Sequence, residues 1–352
     1  MKKELAESGF NLISEKEMPE YRARGIWITH NITGCEIFHL LNDDSENLFS
    51  FTFKTPPEDC TGAAHIVEHA VLSGSKKYPL KDPFLSLLKG SMNTFLNAMT
   101  YPDKTTYPAS STLEKDYFNL MSVYGDAVFF PLLKKEVFHQ EGCRFEIGSR
   151  GELSVNGVVY NEMQGNYSAH DSIAAEYSYR TLFPDSPYRH DSGGEPESIL
   201  SLTYGQFLEF HKKYYHPSNC RIFLYGNIDT LRQCLFINEH FLSPFNSKIT
   251  APVIPAQPRW AAPREFFFTS PLGEEENGNG KSTITLNWLS VPASDPEQLM
   301  TLEVLAEILL GNAGSPLHKA VLDSGLGEDL SPLSGIEADL LETVFTVGIR
   351  GS

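Results

Sequence analysis

Within Ala63-Ala64-His65-Ile66-Val67-Glu68-His69-Ala70-Val71-Leu72, two histidines and a glutamate fall in the order H-x-x-E-H among good helix formers. Residues four apart lie on one helical face, so His65 and His69 can offer their imidazoles to a single ion. Glu68, three residues after His65, points toward the same side. Two neutral imidazoles and a nearby carboxylate suit zinc-activated hydrolysis, in which ligands hold the metal and a base takes the proton from water. The order reverses the H-E-x-x-H arrangement. Thr61 reads as the N-cap of this helix and Ser73-Gly74 as its stop. A pair of ordinary helix histidines would give the same five letters, so the flanking sequence has to decide.

The flanks carry a pattern of their own. Thr61 to Asp82 (TGAAHIVEHAVLSGSKKYPLKD) resembles the zinc-site segment of the M16 metallopeptidases, the pitrilysin and insulin-degrading enzyme family. Further stretches are similar to its presequence-protease branch: Lys81-Asp82-Pro83-Phe84, Thr94-Phe95-Leu96-Asn97-Ala98, Val158-Val159-Tyr160-Asn161-Glu162-Met163, Tyr215-His216-Pro217-Ser218-Asn219 and Ser324-Gly325-Leu326-Gly327. Their order runs across nearly the whole chain. The resemblance implies an α+β fold of tandem M16-type domains, each a mixed β-sheet with helices packed against it, the second incomplete and without the metal motif. It implies one Zn2+ per chain on His65, His69 and Glu162, with Glu68 as general base. It also places Asn97, Ala98 and Met99 on a cleft-lining edge strand that pairs with substrate backbone, a binding mode suited to peptides of many sequences. On the residues alone, Glu162 would read as a partner for a helix dipole and the strand as ordinary core.

Composition sets the bounds. A chain of 352 residues with 41% hydrophobic and 21% charged residues suits an ordinary globular protein of two domains. A net charge of −17 argues against nucleic acid and against anionic membrane surfaces as partners. The five cysteines (35, 60, 143, 220 and 234) are odd in number, widely spaced and without a C-x-x-C, which excludes a cysteine zinc site and points to a reducing compartment. The N-terminus shows neither signal nor transit peptide, and no apolar run is long enough for a bilayer. The expected location is therefore the cytoplasm, or an organellar matrix for a mature eukaryotic form.

The elements that must position these residues follow in order. Residues 1–25 read as a polar arm. Three strands are expected between Gly25 and Phe53, with Asn42-Asp43-Asp44-Ser45 turning between the last two. A short helix over Phe84 to Leu88 precedes a strand over Ser91 to Thr100. Helical periodicity covers Glu114 to Phe129, with Tyr117, Leu120, Met121, Tyr124 and Val128 apolar, and again Lys134 to Phe145. Leu153 to Val155 and Gly157 to Tyr160 read as a strand pair about an Asn-Gly turn. A long helix is expected from Asn161, its cap, to about Leu182, with Glu162 in its first turn. Ser192-Gly193-Gly194 reads as a flexible loop and not a phosphate cradle, and His211 and His216 as structural. Cys220 to Tyr225 closes the first domain.

The expected division is 1–245 for the catalytic domain, 246–263 for a proline-rich linker and 264–352 for a partial second domain. In the second domain, strands are expected at Glu265 to Thr269 and Thr283 to Val291. A polar loop over Gly273 to Gly280 separates them, and helices follow from Glu297 to Leu310 and beyond. Phe345 to Ser352 reads as a last strand.

The function expected is that of a zinc metalloendopeptidase acting on unstructured peptides. A non-catalytic peptide-binding or scaffold relative is the alternative, and loss of the base or a ligand would favour it; all four residues are present. Glu141 and Glu146 are both candidates to orient the imidazoles, and the sequence does not choose between them. The resemblance further implies a missing C-terminal half that closes the chamber, so the chain is expected to work poorly alone and to self-associate through apolar surface left bare.

Overall fold

Phe49, Phe51 and Phe53 alternate along one strand and are all buried, which sets that strand at the centre of a helix-covered sheet. The computed structural model describes residues 2–81, 83–271 and 281–352. The larger sheet is built from β1 (Phe10–Met18), β2 (Ala23–His30), β3 (Glu36–Leu41), β4 (Asn47–Lys54), β5 (Asn93–Leu96), β6 (Met99–Thr100), β7 (Lys104–Ser111) and β10 (Cys220–Gly226). A separate hairpin pairs β8 (Arg144–Ile147) with β9 (Leu153–Asn156). The first helices are α1 (Lys2–Glu7), α2 (Ala63–Val71), α3 (Pro83–Gly90), α4 (Glu114–Phe129) and α5 (Lys135–Glu141). They are followed by α6 (Val158–Asn166), α7 (His170–Leu182), α8 (Pro196–Ile199), α9 (Tyr204–Tyr214) and α10 (Thr230–Ile237).

Helix α4 lies on the Phe face of β4, as its periodicity predicts. Tyr117, Leu120, Met121, Tyr124 and Val128 are all buried, and Tyr117 and Tyr124 meet Phe49 edge-on at 5.5 and 5.9 Å. Such edge-to-face pairs add to the area that each ring removes from water.

The sheet order is β1-β2-β3-β10-β4-β7-β5, with β6 also on β7. The polar arm is thus α1 and an edge strand; β1 buries little beyond Phe10, so its sequence lacks the alternation of a half-buried strand. The turn between β3 and β4 stands, but β10 inserts between them, parallel to β3 and antiparallel to β4. Alternation identifies a strand without naming its neighbours, which is why a closing strand was expected where a central one is found.

Other expectations are corrected by local geometry. The second helix ends at Glu141, since Gly142 leaves the helical region and Arg144–Ile147 is strand. Gly157 to Tyr160 is not the second half of a hairpin: β9 pairs back to β8, and α6 begins at Val158. The N-cap is Gly157 and not Asn161, and Glu162 falls in the second turn. The long helix divides into α6 and α7 at Tyr167–Ala169. The strand over 91–100 is interrupted by a bulge after Asn93 and a break at Asn97-Ala98.

The second, four-stranded sheet is β11 (Thr283–Pro292), β12 (Asp329–Leu330), β13 (Gly335–Glu337) and β14 (Glu342–Arg350), accompanied by α11 (Pro296–Leu310) and α12 (Pro316–Asp323). No strand forms at Glu265 to Thr269; Phe268 there stacks on Tyr177 of α7 with ring centres 4.0 Å apart. The loop expected over Gly273 to Gly280 lies outside the described residues, as does Asp82. Leu182, Phe183, Tyr188, Leu340 and Val344 form a small core joining α7 to this sheet. Among the described residues no helix is long and apolar enough to cross a membrane, and all five cysteines are free thiols.

His39 gives the fold a pH response. It is wholly buried on β3, its Nδ1 2.8 Å from the Thr230 hydroxyl, and burial pulls its pKa from 6.5 down to about 4. The folded chain keeps it neutral while the unfolded chain takes up a proton below pH 6.5. The contribution is therefore lost as pH falls from 6.5 toward 4, about 3 kcal/mol in all. Urea unfolding of His39→Gln should show a shallower loss over that window than the parent; equal slopes would exclude His39 as the source.

Candidate metal centre

Helix α2 buries Ala64, Ile66, Val67, Ala70 and Val71, and Glu68 with them. The remaining stripe carries His65 and His69, whose rings meet edge-on with centres 4.9 Å apart. Glu162 of α6 faces them: its Oε2 is 3.6 Å from His65 Nε2 and 3.9 Å from His69 Nε2. One ligand atom from each of the three residues falls within 4.8 Å of the others. Tetrahedral zinc ligands at the usual bond lengths sit roughly 3.4 Å apart, so two imidazole nitrogens and one carboxylate oxygen in this spacing fit Zn2+ with a fourth position left over.

The start of α2 is set by a backbone contact. Its N-cap is Gly62 at φ 69, not Thr61, whose hydroxyl donates to Asp59 Oδ1 at 2.6 Å. A Cβ on Gly62 would come within 2.6 Å of the Gly193 carbonyl oxygen, so the close approach and the left-handed conformation both require glycine. The Ser192–Gly194 loop, expected to be flexible, is tied to its neighbours by hydrogen bonds from backbone N–H groups. Gly193 N donates to Asp191 Oδ1 at 2.8 Å, and Glu195 N donates to Cys60 O at 2.8 Å.

Each imidazole is oriented through its Nδ1. His65 Nδ1 lies 3.3 Å from Gly193 O, and because a carbonyl only accepts, the ring proton sits on Nδ1 and the Nε2 lone pair faces Glu162. His69 Nδ1 lies 3.3 Å from Oε2 of the buried Glu141, whose Oε1 receives Gln140 Nε2 at 2.9 Å. Burial alone would lower the His69 pKa. The Glu141 hydrogen bond and the charges of Glu68, Glu141 and Glu162 outweigh it and raise the pKa. Of the two acidic candidates, Glu141 makes the contact. Glu146 sits half-buried on β8, held by Arg144 at 2.7 Å and Asn156 at 3.3 Å.

Glu68 is 6% exposed, and its Oε2 accepts from the Thr100 hydroxyl at 2.7 Å. Thr100 belongs to β6, so this bond ties α2 to the sheet edge. Among the described residues β5 and β6 pair only with β7. Asn97 N–H donates to Pro108 O at 3.2 Å, and Ala98 N–H donates to the Asn97 side-chain oxygen at 3.0 Å. Met99 opens β6.

Thr100 and Gly193 went unseen in the sequence because their partners lie 32 and 128 residues away. The one local signal was Asp191-Ser192-Gly193, where an Asp side chain can hold the backbone two residues on.

Two family models match the chain: "Insulinase (Peptidase family M16)" over residues 55–160 and "Peptidase M16 inactive domain" over residues 201–351. The chain is 42% identical over 358 residues to presequence protease 1, chloroplastic/mitochondrial, of Arabidopsis thaliana, covering 99% of this chain and 33% of that protein. It is 40% identical over 348 residues to the mitochondrial presequence protease of Mus musculus, covering 97% of this chain and 34% of that protein. The chain spans about a third of the length of the curated relatives it matches. The solved structure of a protease from Helicobacter pylori superposes with a TM-score of 0.68 at 18% identity, over 94% of this chain and 75% of that one. At that identity the likeness speaks for the fold alone.

Proposed function

The chain belongs to the M16 peptidase family, and from that premise we propose that it carries the zinc site of a metalloendopeptidase acting on unstructured peptides. The observation that carries the reading is the meeting of His65, His69 and Glu162 within 4.8 Å of one another, beside a buried Glu68. His65, His69 and Glu162 would hold one Zn2+, which supplies Lewis-acid activation of water and of the scissile carbonyl. Gly193 O and Glu141 keep both rings turned with Nε2 toward Glu162. Thr100 occupies Oε2 of Glu68, so Oε1 is the oxygen that takes the proton from the attacking water and returns it to the leaving amine.

The substrate lies as an added strand along Asn97, Ala98 and Met99, displacing the Asn97 side chain from Ala98 N–H. The proposed division of the chain is 1–245, 246–263 and 264–352, and the proposed partner is the C-terminal M16 half.

One series tests this. Cleavage of an unfolded peptide by the chain together with that half should stop on chelation and return with Zn2+; cleavage that persists in chelator would overturn the reading. In the same assay Ala98→Pro, which removes that donor, should weaken peptide binding with zinc content unchanged. An unaltered affinity would count against this edge as the platform.

A further inference from the structure

Asp191 engages both of its carboxylate oxygens, and each leads to a different part of the metal centre. Oδ1 receives Gly193 N–H at 2.8 Å, and the carbonyl of that same Gly193 lies 3.3 Å from His65 Nδ1. Oδ2 receives the Tyr167 hydroxyl at 2.9 Å. Tyr167 is the C-cap of α6, the helix that bears Glu162. We propose that Asp191 is a positioning residue for the metal centre, a strut that fixes the His65 acceptor relative to the Glu162 helix; the inference rests on the zinc reading above.

Three features support a role in geometry over a role in folding alone. Asp191 is 9% exposed, so its hydrogen bonds are shielded from competition by water. The loop is also held on its far side, by Glu195 N on Cys60 O and by the Arg180–Glu195 ion pair, so it does not depend on Asp191 to stay attached. The Met163 side chain packs under Gly193, since a Cβ there would lie 2.8 Å from its Cε; α6 and the loop therefore already touch, and Asp191 sets how they register. An Asp that served only to shape the turn would need Oδ1 alone. Without the carboxylate, Gly193 N–H and the Tyr167 hydroxyl both lose their acceptor and the Gly193 carbonyl is free to swing from His65, releasing the tautomer that presents Nε2.

The test is Zn2+ affinity of the metal-free chain, read by competition with a chromophoric chelator, alongside thermal unfolding of the metal-free chain. Asp191→Ala should bind Zn2+ roughly 10- to 100-fold more weakly, the usual cost of removing an outer partner of a metal ligand. Asp191→Asn, whose side-chain oxygen still accepts from Gly193, should recover most of that loss. Tyr167→Phe should weaken binding in the parent but add nothing in the Asp191→Ala background, since both act through one connection. Parent-like Zn2+ affinity in Asp191→Ala, with only its unfolding temperature lowered, would reduce Asp191 to a turn former and overturn the proposal. Should Asp191→Ala not fold, parent-like affinity in Tyr167→Phe overturns it equally. A His65→Ala/His69→Ala chain separates the two levels: if it keeps Zn2+, the zinc reading itself fails, whereas loss there with retention in Asp191→Ala sinks this inference alone.

Discussion

Glu68→Gln should lower peptide cleavage by at least ~100-fold while zinc content and peptide affinity stay at the parent level. The substitution changes almost nothing but proton affinity. Glutamine has the same shape, and Glu68 sits 6% exposed in a packed helix, so the side chain has little room to reorient. Its oxygen can still accept from the Thr100 hydroxyl, which leaves the amide nitrogen where, in the proposed mechanism, the proton arrives. An amide nitrogen cannot take that proton. Glu68 is also outside the group of three ligand atoms, so metal retention should not follow the loss of activity. Steady-state kinetics with metal analysis on the same preparation decide it. The predicted pattern is a fall in kcat with KM held; a Glu68→Gln enzyme that cleaves at the parent rate would remove Glu68 from the chemistry.

The parts of this site that are legible in the sequence are those whose geometry is helical and local. His65, Glu68 and His69 share one turn, and the five apolar positions that periodicity picks out in Glu114–Phe129 are all buried, although α4 also buries Ser122, Gly125, Asp126, Ala127 and Phe129. Errors gather where the chain doubles back. Val158-Val159-Tyr160 has the β-branched and aromatic look of a strand, yet it opens α6, because Gly157 has no Cβ and packs against the Gly142 carbonyl, where a Cβ would come within 2.0 Å. The same tertiary contact moves Glu162 from a first turn to a second. Glu141 and Glu146 are equivalent on paper; the end of α5 at Glu141 and the start of β8 at Arg144 separate them, one turned to His69 and the other to Arg144 and Asn156. The placement of β10 between β3 and β4 is a matter of non-local pairing that alternation does not encode.

The second large effect is on the metal itself. In the proposed site His65 and His69 would supply two of the three ligand atoms, and each is held by a hydrogen bond at Nδ1 that leaves Nε2 turned toward Glu162. Zinc sites of four protein ligands bind with about 10–16 kcal/mol, so losing two ligands should weaken binding on the order of 10⁴-fold or more. Alanine at both positions removes only side chains from a partly exposed stripe, and α2 keeps its buried face of Ile66, Val67 and Val71, so the fold should survive. The most direct measurement is therefore zinc stoichiometry by elemental analysis of chain purified without added metal, parent beside His65→Ala/His69→Ala. The predicted result is one zinc per parent chain and none retained by the double variant; stoichiometric zinc in the double variant would contradict the account.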